Sequence, residues 1–208
     1  MHTQNHEYVY QRPGPTWSNN YLWKPLEQWI NAQRASDRRV FEVGCGNGAT
    51  AGMLAELGFA VTAVDPSVSG IAVARENYSA PTFEKASAYE DLAHQFGTFP
   101  FVVSLEVVEH CYSPKAFAST IFNLLKPGGV AFISTPYHGY LKNLALAVTG
   151  KLDDHFTALW DGGHIKFWSM NTLAKLLVEA GFESVEFQRV GRIPPFAKSM
   201  VAIATKAK

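Results

Sequence analysis

The sequence predicts an α/β protein, a three-layer doubly wound domain whose mostly parallel sheet lies between helices. Three observations carry this. From Arg39 onward, short apolar runs alternate with stretches of helical spacing, the order that forces crossovers and a parallel sheet. The short runs are apolar at nearly every position, as strands buried on both faces must be. A glycine-rich segment sits where the first run passes into a helix, the place at which open α/β sheets bind ligands. The 208 residues suit one domain able to bury a core without staples.

Taken in order, the first fifteen residues are polar and carry Pro13, Gly14 and Pro15, so they are expected to be loosely ordered unless something binds them. A helix follows, capped by Thr16 or Ser18, with Tyr21, Leu22, Leu26, Trp29 and Ile30 at helical spacing. Then come "VFEV", a helix over 49–57, "AVTAVD", a helix over 67–78, "TFEKA", "FVVSL", a helix over 114–125 and "GVAFIST". An insertion of about 136–169 precedes a helix over 171–180 closed by Gly181. "SVEFQRV" and "MVAIAT" read as two further strands.

Lysine plus arginine equals aspartate plus glutamate at 18 each, so no basic field recruits nucleic acid and no polybasic run anchors the chain to a membrane. The expected partner is a small molecule. Cys45 and Cys111 lack metal-ligand or disulfide spacing, which fits a reducing compartment, and the cytoplasm is the expected location. No leader pattern opens the chain and no apolar run reaches the length of a membrane span.

"FEVGCGNGAT" places Gly44, Gly46 and Gly48 at the first strand-to-helix turn. Gly44, Gly46 and Ala49 also satisfy the looser dinucleotide pattern, and Asp65 ends the second strand at a distance suited to ribose hydroxyls in either case. Glu42 separates the two. A pyrophosphate wants unpaired backbone N–H groups and a positive helix end, whereas a carboxylate beside the loop welcomes an ammonium. S-adenosylmethionine carries an α-ammonium and a sulfonium, and so fits Glu42, the glycines and Asp65. The plainer alternative is that the glycines serve only a tight turn.

"FEVGCGNG", Asp65, "SLEVVEH" at the end of strand four and "LLKPGGV" before strand five together resemble the class I S-adenosylmethionine-dependent methyltransferases, over roughly residues 39–206. The likeness is strongest to the small-molecule O-methylating enzymes of the ubiquinone-biosynthesis type. It implies a seven-stranded sheet with an antiparallel last strand, and an N-terminal segment and cap helix over 1–38 ahead of the cofactor-binding domain over 39–208. Carried onto matching positions, Glu42, Gly44, Gly46 and Gly48 flank the methionyl part of the cofactor. Asp65 takes the ribose, Pro66 lies against the adenine and Leu105 approaches the amino-acid end. Where relatives carry an aspartate near strand three, "KASAYEDL" offers Ser87 and Ala88 as cofactor contacts; "TFPFVVS" lacks the usual Phe-Asp start, a difference expected to touch stability only.

A helical turn starting at Glu106 would put Glu106, Glu109 and His110 on one face. Such a set suits a divalent ion such as magnesium, and some ubiquinone-type and RNA 2′-O-methyltransferases use a similar Glu-x-x-Glu-His with a later histidine, here His164 or else His155. In the metal-free alternative Glu106 caps the turn, Glu109 is solvated and His110 lines the pocket. A hydroxyl acceptor needs its proton removed, and His164, His110 or His155 is the expected general base. The aromatic-rich insertion is expected to form a lid, with "LKNLALAVTG" packed on the domain and Trp17 and Tyr21 closing the pocket opposite. The function expected is methyl transfer to a hydroxyl oxygen. A nicotinamide oxidoreductase and a non-catalytic cofactor-binding partner subunit are the alternatives, and the oligomeric state is left open.

Overall fold

A computed structural model describes residues 8–208; most of the segment expected to be loose therefore lies inside it, and residues 1–7 lie outside. The chain runs α1 (Asn19–Ala32), β1 (Arg39–Val43), α2 (Ala49–Glu56), β2 (Ala60–Asp65), α3 (Val68–Asn77), β3 (Thr82–Lys85), α4 (Leu92–Phe96) and β4 (Phe99–Leu105). A 3₁₀ turn, Val108–His110, leads to α5 (Pro114–Leu124) and β5 (Leu125–Pro136). The insertion holds α6 (Tyr140–Val148) and α7 (Leu152–Phe156), and α8 (Met170–Glu179), β6 (Ser184–Val190) and β7 (Ser199–Thr205) complete the domain.

The strands form one seven-stranded sheet in the order β3-β2-β1-β4-β5-β7-β6. β1 to β5 are mutually parallel, and β7 slots antiparallel between β5 and β6. Each face is sealed by its own apolar cluster. Leu22, Leu26 and Ile30 of α1, Leu54 of α2 and Ile71 of α3 pack on Val40, Val61 and Val103. Phe117, Ile121 and Leu124 of α5 and Leu173 and Leu177 of α8 pack on Phe41, Val43 and Val102. Burying a Leu or Phe side chain contributes roughly 1.5–3 kcal/mol, so these faces fix the strand ends relative to one another.

Three elements differ from expectation. α4 is too short to leave a periodic signal and is announced only by its cap, Asp91, which accepts from His94 N at 3.1 Å. β5 takes in the Pro127-Gly128-Gly129 turn, with an irregularity opposite Phe99 and Phe101. α6 was expected to pack on the domain and does so only in part: it rests on the turn at Pro194–Phe196 and Lys142 Nζ donates to Tyr137 O at 2.8 Å, but none of its residues is fully buried, and Tyr140 and Val148 are 81% and 78% exposed. Among the described residues no helix is long and apolar enough to cross a membrane.

Candidate active site

The carboxyl ends of β1, β2 and β4 open into a cavity of about 680 Å³. Glu42, Gly44, Gly46, Asp65, Pro66, Ser87 and Leu105 line it, as do Glu106 and His110. Two sequence-predicted cofactor residues do not. Gly48 turns away: a Cβ there would lie 2.6 Å from the Ala74 methyl and 2.8 Å from the Phe83 ring, so it is bare to let α3 and β3 close on the loop. Ala88 packs, partly buried, against the apolar cluster on the Phe41 and Val102 face, and Ala86 lines the cavity instead.

Asp65 is the loop's tie. Its Oδ2 accepts from Gly46 N at 2.8 Å and its Oδ1 from Ser67 N at 2.8 Å, which locks the glycine turn to the start of α3. Gly46, at φ +52°, can make this turn without the penalty a side chain would impose. Glu42 is only 2% exposed, and its Oε2 has no hydrogen-bond partner among the described residues. Burial, with the nearby Asp65 charge, pushes its carboxyl up to about 8. A buried carboxylate oxygen left unpaired is costly unless a cation reaches it. An α-ammonium supplies that cation and a pyrophosphate does not, so the residues present fit S-adenosylmethionine.

Glu106 does not begin a helical turn. It sits in the left-handed region at φ 56°, costly for a residue with a side chain. The conformation turns its carboxylate onto β5 and β7: Ser134 Oγ donates to Oε1 at 2.7 Å and Ser199 Oγ to Oε2 at 3.1 Å. Desolvation lifts its pKa to about 7 despite both bonds. Glu109, 1% exposed, is not solvated either: Thr135 Oγ1 donates to its Oε2 at 3.0 Å, while Oε1 is buried without a partner among the described residues. Burial and Glu106 together push its carboxyl well above the ordinary range.

The insertion folds back onto this turn. Ile165 N and Lys166 N both donate to Glu109 O at 3.0 Å, and His110 Nδ1 lies 2.9 Å from Gly162 O. Because a carbonyl can only accept, Nδ1 carries the proton and Nε2 is free for other chemistry. His164 is brought to 4.9 Å from His110 between ring centroids. One ligand atom each from Glu109, His110 and His164 all lie within 4.8 Å of one another, and Glu106 is not in that set. Burial, His110 and His155 hold His164 down to about 4, so it is neutral at pH 7.

His155 is not brought to the cavity wall. It packs against His138 and Phe156 at 5.4 Å each, in a ring cluster inside the insertion. Nor does Trp17 close the pocket, since it is 75% exposed with Lys198 over its ring. Tyr21 reaches Ser199 Oγ at 3.2 Å and so backs Glu106 from behind. Sequence reasoning missed Tyr8 and Tyr10, which line the cavity from the N-terminal segment; Trp160, one of the aromatic residues of the expected lid, lines it from the insertion. Glu90 was missed too, a carboxylate at the cavity wall beyond β3 that accepts from Ser87 N at 2.6 Å. "KASAYEDL" contains Glu90, but only the turn after β3 brings it back.

A doubly wound sheet with an antiparallel β7, a glycine turn tied to an acidic strand end and a buried carboxylate awaiting a cation together define an S-adenosylmethionine-dependent methyltransferase. Residues 19–186 match the methyltransferase domain family, and the chain belongs to it. The "ubiquinone biosynthesis O-methyltransferase" of Thiobacillus denitrificans is 31% identical over 185 residues, 82% of this chain and 78% of that protein. The protein of the same name from Caulobacter vibrioides is 39% identical over 115 residues, 53% of this chain and 45% of that protein. Among solved structures, a methyltransferase from Archaeoglobus fulgidus shares the fold with a TM-score of 0.69 at 20% identity, covering 88% of this chain and 92% of that one. The magnesium protoporphyrin IX methyltransferase of Synechocystis, solved with S-adenosylhomocysteine, does so at a TM-score of 0.67 and 19% identity, covering 88% and 81%.

Proposed function

We propose that the chain methylates a hydroxyl oxygen of a small aromatic molecule entering beside Glu106, His110 and Trp160. The observation carrying this reading is that His110, which lines the cavity beside Leu105 and Glu106, meets a second imidazole, His164, and the buried carboxyl of Glu109. Bound S-adenosylmethionine supplies the methyl group, its C–S bond breaking as the C–O bond forms. Glu42 receives the α-ammonium and Asp65 the ribose hydroxyls, with Gly44, Gly46, Pro66, Leu105 and Ser87 along the wall. His164 or His110 Nε2 takes the acceptor's proton. The relatives' printed name favours oxygen over nitrogen or carbon, and the aromatic rings of the insertion favour a ring-bearing acceptor. A cytoplasmic site of action belongs to the same reading, supported by two free buried cysteines.

The same three residues support a second reading, in which Glu109, His110 and His164 hold a divalent cation that lowers the pKa of the acceptor hydroxyl. Two nitrogens and one oxygen suit zinc, manganese or iron better than magnesium, which prefers oxygen ligands. Incubating the enzyme with S-adenosylmethionine and a panel of phenols, amines and activated carbon acids, and locating the new methyl by mass spectrometry, tests the main reading. Oxygen methylation is expected, with His164→Ala losing roughly 10²–10⁴-fold in kcat at unchanged affinity for S-adenosylhomocysteine. A methyl found on nitrogen or carbon overturns it. Loss of activity with EDTA, restored by one metal, selects the cation over the free base.

A further inference from the structure

The N-terminal segment crosses the glycine loop and is fastened at both ends. Tyr8 O accepts from Ser67 Oγ at 2.9 Å, and Tyr10 N donates to Ser69 Oγ at 3.0 Å. Asn47 Nδ2 donates to both Arg12 O and Gly14 O at 2.9 Å, and Gly14 N donates to Tyr78 OH at 3.1 Å. These bonds engage the loop after β1 and both ends of α3, and Asp65 joins that loop to the start of the same helix. They aim Tyr10 into the cavity: a Cβ on Gly46 would lie 2.6 Å from the Tyr10 hydroxyl oxygen. That hydroxyl has no hydrogen-bond partner among the described residues. Across the mouth, Tyr8 meets Trp160 of the insertion edge-on at 6.4 Å.

We propose that Tyr10 is a cofactor-binding residue, its hydroxyl donating to an oxygen of the bound cofactor while residues 8–14 strap the cofactor against the glycine loop. Glu42 and Asp65 are acceptors, matched to the ligand's ammonium and hydroxyls, and the loop's side-chain amide, Asn47 Nδ2, is already committed to Arg12 O and Gly14 O. Tyr10 supplies a donor, and it keeps its proton, because burial and the Asp65 charge hold the phenol above its ordinary range. Gly46 is then bare for two reasons, its backbone turn and the ring stacked over it.

The test is calorimetric titration of the full chain and its variants with S-adenosylhomocysteine, alongside thermal unfolding without ligand. Tyr10→Phe keeps the ring and is expected to weaken binding about 5- to 10-fold, the range one hydrogen bond gives, with the ligand-free melting temperature unchanged. Tyr10→Ala is expected to weaken it further and to speed release in a stopped-flow displacement. Wild-type affinity in both variants overturns the inference. Should Tyr10→Ala lower the ligand-free melting temperature, Tyr10→Phe alone decides. Failure of the wild-type chain to bind would instead sink the cofactor assignment on which the inference rests.

Discussion

The two halves of the cavity, one proposed for the cofactor and the other for the acceptor, are built by different means. On the cofactor half the backbone does the shaping: Gly44 N and Cys45 N both donate to Val64 O, Gly48 N donates to Cys45 O, and Asp65 ties the turn to α3. On the acceptor half the chain makes a loop pinned at a few points. His138 N donates to Trp168 O at its base, Ile165 and Lys166 hang from Glu109 O, and α6 and α7 bury no residue between them. A backbone-built site recognises what every member of a class must bind. A pinned loop can change its side chains without disturbing the sheet, and so sets what the individual enzyme acts on.

The largest effect should come from cutting the backbone-built half at its tie. Asp65→Ala removes the proposed ribose acceptor and strands Gly46 N and Ser67 N, so affinity for S-adenosylhomocysteine is expected to fall roughly 100-fold or more, as loss of charge-assisted hydrogen bonds implies. Asp65→Asn, which keeps one acceptor oxygen, should fall between. If calorimetry finds Asp65→Ala within a few-fold of wild type, cofactor binding does not depend on this strand end and the contrast between the halves fails.

A smaller, pH-dependent effect should distinguish Glu42. Its carboxyl is held up to about 8 in the fold, against an ordinary value of 4.5. Between those values the folded chain keeps a proton that the unfolded chain has lost, so this stability is full below pH 4.5 and disappears as pH rises through 8. Glu106 and Glu109 are shifted the same way, so Glu42→Gln should flatten the melting-temperature profile only in part. An ammonium ligand prefers the ionised form, so wild-type affinity should rise between pH 6 and 8 while that of Glu42→Gln stays level and about tenfold weaker. Parallel pH profiles for the two proteins would remove Glu42 from the ammonium site.

How much could be read beforehand follows the same division. The sheet, its helices and the roles expected of Glu42, Gly44, Gly46 and Asp65 rest on signals local in sequence, because each strand and the turn after it carry their own. Glu106 was misplaced because helical spacing says nothing of a left-handed residue, and its partners Ser134 and Ser199 lie on other strands. His164 meets His110 only because Glu109 O captures the backbone of Ile165 and Lys166, a contact without a pattern in sequence. Tyr10 had no signal beyond being aromatic in a polar stretch. His155 shares the residue type of His164 and lies in the same insertion, yet it turns inward to His138.

The smallest effect concerns the glycine that left the site. Gly48 stands at φ +82° with Ala74 and Phe83 closing over it, so Gly48→Ala must strain the backbone and displace one of them. A cost of about 1–3 kcal/mol in stability is expected, read as a lower denaturant midpoint. Gly48 does not line the cavity, and Asp65 fastens the loop at Gly46, two residues earlier. Affinity for S-adenosylhomocysteine, measured well below the unfolding transition, should therefore stay within about threefold of wild type. A large loss of affinity at unchanged stability would return Gly48 to the ligand-contacting set. The opposite pattern divides the three glycines by task, with Gly44 and Gly46 facing the cofactor and Gly48 holding α3 and β3 against the loop that bears them.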